Sequence, residues 1–322
     1  MTTQCQYRGP NSEVCEDNPE EGNSFCYWHD GSHIKSEPYL IERLEQRART
    51  GVPMIGFELR KADLRGIDLV NHNDKAGYQL LHSDLYRCDL RDAHIFHLDL
   101  SNSSLMKANL EHANLNNAKL ENTNLLGTQL LNTKMENILW NKKILQESLA
   151  DRSKDKREKL DLYEQSEEIY RHLRRATEEQ GLFQLTGLFF QREMVMRRKQ
   201  LPRYSVKRIT SKLVELFCGY GEEPLRVVTF SMLTILTFAL FYFFLGINQG
   251  GQIIQFVSAS TLLENTTNFL NSLYFSVVTF TTLGYGDLSP YGWTRAFAAL
   301  EAFLGSFSLA LFVVVFVKKM TR

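Results

Sequence analysis

The sequence predicts a multi-domain chain: a small cysteine-rich module, a β-solenoid, an α-helical linker and a two-span α-helical membrane region. Three observations predict it. Residues 227–245 carry no charge and residues 296–317 carry only Glu301, so each run is long enough and apolar enough to cross a hydrocarbon core as a helix. A bulky apolar residue recurs at every fifth position from Leu80 to Trp140, a period that fits neither helix nor strand. Three of the five cysteines lie within the first 26 residues.

The N-terminal module is placed at residues 1–36. Cys5, Cys15, Cys26 and His29 follow the spacing C-x9-C-x10-C-x2-H. Tetrahedral zinc takes four such ligands, and a close Cys-x2-His pair is a common half-site. A segment this short cannot bury enough surface to fold unaided, so a metal would organise it. The competing readings are a disulfide pair, which a reducing compartment disfavours, and an unstructured tail with incidental cysteines. His33 is a substitute ligand, and Tyr27 and Trp28 are expected to pack against the metal core. The spacing resembles the three-Cys-one-His module of the plant WRC domain, and the resemblance covers this segment alone.

The solenoid is placed at residues 56–140. Leu80, Leu85, Leu90, Ile95, Leu100 and their successors hold the central position, and two residues before most of them stands a small residue such as Ser83, Cys88, Ala93 or Ala108. An earlier pair, Leu64 and Leu69, keeps the spacing but is out of phase by one, and residues 71–78 absorb that slip. A run this long at a period of five means a coil with flat sides, one repeat per side. The pattern resembles the pentapeptide-repeat family, which implies a right-handed quadrilateral β-helix with four repeats per coil. Cys88 reads as a buried core thiol. Some members of that family are strongly acidic mimics of DNA. Ten acids and seven bases between Ala62 and Trp140 are too balanced for that role, so a rigid spacer or a docking surface for a cytosolic protein is expected.

A helical hairpin linker follows at residues 141–200. Leu162, Tyr163, Ile169, Tyr170 and Leu173 recur at helical spacing, Gly181 breaks the pattern, and a second stripe runs from Leu182 through Phe189 to Met194. Residues 201–224 then hold a basic amphipathic helix with Val206, Ile209, Leu213 and Leu216 on one side, which resembles an interfacial helix lying along a membrane.

The pore domain is placed at residues 225–322. Residues 268–280, too short to span, lead straight into Thr281-Thr282-Leu283-Gly284-Tyr285-Gly286-Asp287. A dehydrated cation needs oxygens in place of water, and glycines let successive backbone carbonyls point one way. This stretch resembles the potassium-channel selectivity filter, with Leu283 where the commonest form has valine. The resemblance implies ion-conducting carbonyls at Thr282, Leu283, Gly284, Tyr285 and Gly286, Asp287 at the outer mouth, K+ as the permeant ion and a homotetramer. Gly219-Tyr220-Gly221 lacks the preceding threonines and reads as a turn. Gly305 falls where channels often have a hinge glycine. Phe312 and Phe316 are candidates for a hydrophobic constriction, with a lipid-facing position equally open. Glu301, an acid inside a span, either hydrogen-bonds behind the filter or adds charge near the cavity.

Residues 247–292 contain no Lys or Arg, whereas basic residues crowd before the first span and after the second. The positive-inside rule therefore places both termini in the cytoplasm and the chain in the cell membrane. No cleavable signal peptide is visible. The 37 basic and 37 acidic residues cancel, so no nucleic-acid partner is expected. No catalytic residue is assigned and no enzymatic activity is expected. The whole arrangement resembles prokaryotic pentapeptide-repeat proteins carrying a two-span potassium-channel domain. It implies a potassium-selective channel gated from its cytosolic N-terminal domains. A weakly selective cation pore and a membrane-anchored scaffold stay open as alternatives.

Overall fold

A computed structural model describes residues 4–74, 76–259 and 261–321. The chain forms two compact units, Met1–Arg208 and Ile209–Arg322.

In the first unit the cysteine-rich segment has almost no regular structure and leads into helix α1 (Leu40–Arg49). Leu40, Leu44 and Ala48 recur at intervals of four, so they share one face, and that face is buried. Strands β1 (Met54–Ile55) and β2 (Leu80–Leu81) pair in parallel and open the solenoid. The buried Lys35 ammonium donates to the carbonyls of Asp30 at 2.8 Å and Glu58 at 2.7 Å, tying the cysteine-rich segment to the first solenoid side. Trp28 stacks on Phe57 with centroids 4.8 Å apart. The two regions thus share one core.

The solenoid is a stack of parallel bridges. Gln79 pairs with Asp99, Asp84 with Ser104, Asp89 with Asn109, and so on to Lys119 with Leu139, each over twenty residues, or four repeats. The first return is longer: Glu58 pairs with Asp84, Asp63 with Asp89 and Asp68 with His94, each over twenty-six. The six extra residues fall between Leu69 and Leu80 in the sequence and account for the one-residue phase slip. The central Leu80, Leu85, Leu90, Leu100, Leu105 and Leu110 are buried, as are the small residues Ala93, Ala108, Ala113 and Ala118. At the corners, Arg87, Asp92, His97, Asn102, Lys107, His112, Asn117 and Asn122 all take φ between 53° and 61°. Asn tolerates that left-handed conformation best among non-glycine residues, which explains its frequency there. Where serine or threonine fills the inward position, its hydroxyl donates to the preceding coil: Ser103 to the Leu80 carbonyl at 2.8 Å, Thr128 to that of Leu105 at 2.9 Å, and Thr133 to that of Leu110 at 2.7 Å. The Cys88 thiol donates to the Leu59 carbonyl, and burial pushes it up to about 12, as befits a core thiol.

Three helices follow the solenoid. Helix α2 (Leu145–Arg152) leads to the hairpin of α3 (Lys156–Glu179) and α4 (Phe183–Gln200). Gly181, at φ 71°, makes the turn. Between the hairpin arms, Glu193 accepts from Arg171 at 3.2 Å and Arg174 at 2.8 Å. Helix α5 (Val206–Cys218) leaves Val206, Ile209, Leu213 and Leu216 exposed.

The second unit is built on α6 (Pro224–Leu245), α7 (Leu262–Phe280) and α8 (Thr294–Met320). Helices α6 and α8 are long and apolar enough to cross a membrane. Pro224 at the first position of α6 sets its start, where the missing N–H leaves nothing unsatisfied. After α6, strands β3 (Ile247–Gln249) and β4 (Gln252–Ile254) form a hairpin around Gly250 and Gly251. Strand β5 (Ser289–Pro290), just after the glycine motif, pairs with β3. Helix α7 begins with a capping box in which Thr261 and Glu264 satisfy each other's backbone N–H groups, and it packs against both α6 and α8.

Candidate ion pathway and metal cluster

In the N-terminal segment the fold brings together the four sequence-predicted ligands. The ligand atoms of Cys5, Cys15, Cys26 and His29 all lie within 4.8 Å of one another. Cys5 Sγ is 3.6 Å from His29 Nδ1, Cys26 Sγ is 3.1 Å from the same nitrogen, and Cys15 Sγ is 3.8 Å from Cys26 Sγ. A tetrahedron with bonds of about 2.0–2.3 Å has edges of roughly 3.3–3.8 Å, so the set fits a metal such as zinc. The cysteines are free of disulfides. His29 Nε2–H donates to the Ile55 carbonyl at 2.8 Å, which leaves the Nδ1 lone pair facing the thiols. Tyr7 stacks on the imidazole at 3.9 Å. Burial lowers the His29 pKa and raises those of Cys15 and Cys26. The first favours the neutral imidazole a metal needs. The second means that only a cation in their midst would make the thiols good thiolate ligands. His33 is not part of the cluster. Its Nδ1 lies 3.2 Å from Asp30 Oδ2 instead.

In the second unit, α7 delivers the chain to the glycine motif. Its last turn closes with Thr282 N–H on the Thr279 carbonyl and Leu283 N–H on that of Val278, both at 3.0 Å. Beyond Thr281 the backbone leaves the helix. Thr282, Gly284 and Gly286 then take φ of 59°, 56° and 83°, while Leu283 and Tyr285 between them do not. Alternating the hand of successive residues swings their carbonyls toward a common side. A side chain at Gly284 or Gly286 would meet nothing within 4 Å, so backbone conformation alone calls for glycine at these positions. Asp287 follows, and β5 then anchors the segment to β3.

Helix α8 supports this segment from behind. Gly305 is buried against the end of α7: a Cβ there would lie 1.9 Å from the Phe280 carbonyl oxygen. Glu301 is fully buried. Its Oε2 accepts from the Tyr242 hydroxyl of α6 at 2.6 Å, and its Oε1 meets the Ser276 hydroxyl of α7. One side chain thereby joins all three helices. Phe312 packs with Cys218, Val227 and Val315 at the corner of α5, α6 and α8, and Phe316 stacks on it at 5.7 Å. At the same corner Lys318 Nζ donates to the buried Glu222 carboxylate at 2.6 Å. Gly219-Tyr220-Gly221 forms a tight turn between α5 and α6, with Tyr220 at φ 57°.

The family described as "Ion channel" matches residues 230–322, and the family described as "Pentapeptide repeats" matches residues 103–138 in eight copies. The chain joins a two-span ion-channel domain to pentapeptide repeats. Among solved structures, the repeat region is similar to a pentapeptide repeat protein from the Arabidopsis thaliana thylakoid lumen, at 26% identity over 27% of this chain and 54% of that one, with a TM-score of 0.17. The match thus spans about half the length of the Arabidopsis protein. It is also similar to a pentapeptide repeat protein from the cyanobacterium Cyanothece 51142, at 21% identity over 31% of this chain and 93% of that one, with a TM-score of 0.20. No curated protein matches the chain.

Sequence reasoning placed Glu301 in the channel domain but missed both partners. Tyr242 and Ser276 are polar groups within apolar stretches, and that is the signal that singles them out. It also missed the Ile55 carbonyl, which fixes His29 and which no residue type announces.

Proposed function

We propose that the chain is a potassium-selective, homotetrameric ion channel of the cell membrane, conducting passively through the carbonyls of Thr282, Leu283, Gly284, Tyr285 and Gly286. The observation that carries this reading is the alternation of backbone hand from Thr282 to Gly286, presented at the end of α7 between two helices long and apolar enough to cross a membrane. One chain contributes one strand of carbonyls, and an ion needs a ring of them. Much of the outer face of the channel domain is apolar and exposed in a single chain, including Met232, Leu233, Phe244, Phe303 and Val314, as contact with lipid and neighbouring copies requires. Asp287 stands at the outer mouth. Gly305, Glu301, Phe312 and Phe316 are the residues through which α8 would act on the gate.

The N-terminal regions belong on the cytosolic side together with the C-terminus, because the basic flanks of both spans lie there. Zn2+ on Cys5, Cys15, Cys26 and His29 would hold the first segment in shape. The pentapeptide repeats would form a right-handed, four-sided β-helix that serves as a rigid spacer and a docking surface for a cytosolic protein. Control of the gate would reach the pore through the α3–α4 hairpin and α5, with α5 lying on the inner membrane surface.

The test is the reversal potential of purified protein in a planar bilayer with potassium on one side and sodium on the other. Reversal near the potassium equilibrium potential is expected. Reversal near zero with measurable current would reject the selective filter in favour of a non-selective pore.

A further inference from the structure

We infer that Glu301 is held as a neutral carboxylic acid, and that its proton fastens the pore helix α7 to both spans. The proton is read from hydrogen-bond geometry alone. Its consequence for conduction deepens the channel reading and rests on it.

Three contacts meet here, and the two hydroxyls bring only two hydrogens. Tyr242 supplies one, and it goes to Glu301 Oε2 at 2.6 Å. Ser276 supplies one, but its Oγ faces two acceptors: the Ile235 carbonyl of α6 at 2.8 Å and Glu301 Oε1. A serine hydroxyl donates once and can accept as well, whereas an ionised carboxylate and a carbonyl only accept. Were Glu301 ionised, one of the two contacts would press oxygen on oxygen with no hydrogen between them. With a proton on Oε1, every contact holds one hydrogen: Glu301 donates to Ser276, and Ser276 donates to the Ile235 carbonyl. The chain of bonds then runs from α8 through α7 to α6.

The surroundings agree. Ser276 and Tyr242, like Glu301, have no exposed surface. Among the described residues, Tyr242 is the one other titratable group that hydrogen-bonds to the carboxyl. The neighbouring side chains of this core, Phe238, Phe275 and Ala298, are apolar. Among the described residues no Lys, Arg or His forms an ion pair with Glu301. A charge removed from water without a counter-ion is strongly disfavoured, and taking up a proton relieves it. Ser276 lies four residues before the end of α7, so the bond it makes sets the height at which the helix presents Thr282 and the glycines. Glu301 is therefore a positioning residue.

Infrared spectroscopy of the full-length protein in lipid vesicles tests the proton. At neutral pH the wild type should show the carbonyl stretch of a protonated carboxylic acid. That band should vanish in E301Q and move in S276A, which removes the acceptor of its hydrogen. If E301Q removes carboxylate bands instead, or if S276A leaves the acid band in place, the inference is overturned. Currents test the positioning. The glutamine amide keeps a donor and an acceptor, so E301Q should hold the K+/Na+ permeability ratio within about twofold of wild type, while E301A and S276A lower it about tenfold, as loss of one buried hydrogen bond allows. An E301Q channel as impaired as E301A would mean that charge, not the proton, matters there, and would also overturn the inference. Should the wild type show no potassium preference, the channel reading fails while the infrared result still decides the proton.

Discussion

Gly305 offers a sharp test of how α8 supports the filter. A glycine in mid-span invites the reading of a hinge, kept for flexibility. The structure gives it a second task, since a Cβ at this position would lie 1.9 Å from the Phe280 carbonyl oxygen, 2.7 Å from its carbon and 3.0 Å from its Cα. These are backbone atoms and cannot rotate aside. Ordinary contact begins near 3.4 Å, so G305A must push α8 about 1.5 Å away from the end of α7, two residues before Thr282. Two effects of opposite sign compete. Alanine favours the helix over glycine by about 1 kcal/mol. Overpacking against a fixed neighbour costs about 1–3 kcal/mol, and here the neighbour is backbone, so the upper part of that range applies. G305A should therefore melt a few degrees below wild type in detergent, and its reversal potential should move toward zero as the filter shifts. A hinge glycine predicts the opposite pattern: a stiffer helix, a higher melting temperature and unchanged selectivity. A G305A protein that melts above wild type and reverses at the wild-type potential would refute the packing argument.

Three further outcomes are expected. H29A or C26S should lower the zinc content of purified protein from about one per chain to a small fraction, and the accompanying loosening of Trp28 from Phe57 should be visible in tryptophan fluorescence. T128V should leave the Leu105 carbonyl without its inter-coil donor and cost about 1 kcal/mol in a urea titration of the repeat region. Acid should weaken the solenoid. Asp63 and Asp89 are held below the usual carboxylate range by hydrogen bonds from Arg65 and Arg91. A depressed folded pKa stabilises above the unfolded value and loses that contribution as pH falls through the folded one, so the urea midpoint should be flat at neutral pH and fall below about pH 4.

What the sequence made legible was whatever repeats or punctuates locally. The fivefold Leu spacing, the two uncharged runs and Thr281 to Asp287 can each be read without knowing what they touch. The phase slip before Leu80 even pointed to the segment that turned out to hold the six extra residues. Two local signals were legible and passed over: the i, i+4 pattern of Leu40, Leu44 and Ala48 that makes α1, and the Gly250-Gly251 pair that turns the β3–β4 hairpin. The rest depends on contacts between residues far apart in the chain. Glu301 meets Tyr242 and Ser276 across 59 and 25 residues, and no pattern in a single sequence states that pairing. The burial of Lys35 is of the same kind, because a lysine in a polar stretch looks like any other until Asp30 and Glu58 offer it their carbonyls. Phe312 and Phe316 can be picked out by their spacing, but the packing of Phe312 against Cys218 and Val227 joins residues far apart in the chain and is not written in that spacing.

The even return of the solenoid makes it a ruler with discrete graduations. Each twenty-residue coil adds one strand spacing, about 4.8 Å, to its length. Removing or duplicating a whole coil would leave every side facing as before, whereas inserting a single repeat of five would swing everything beyond it by about a quarter turn. Length and orientation can therefore be changed independently of each other and of both ends. The twenty-six-residue first return shows that the stack tolerates an extra loop at one corner without losing register.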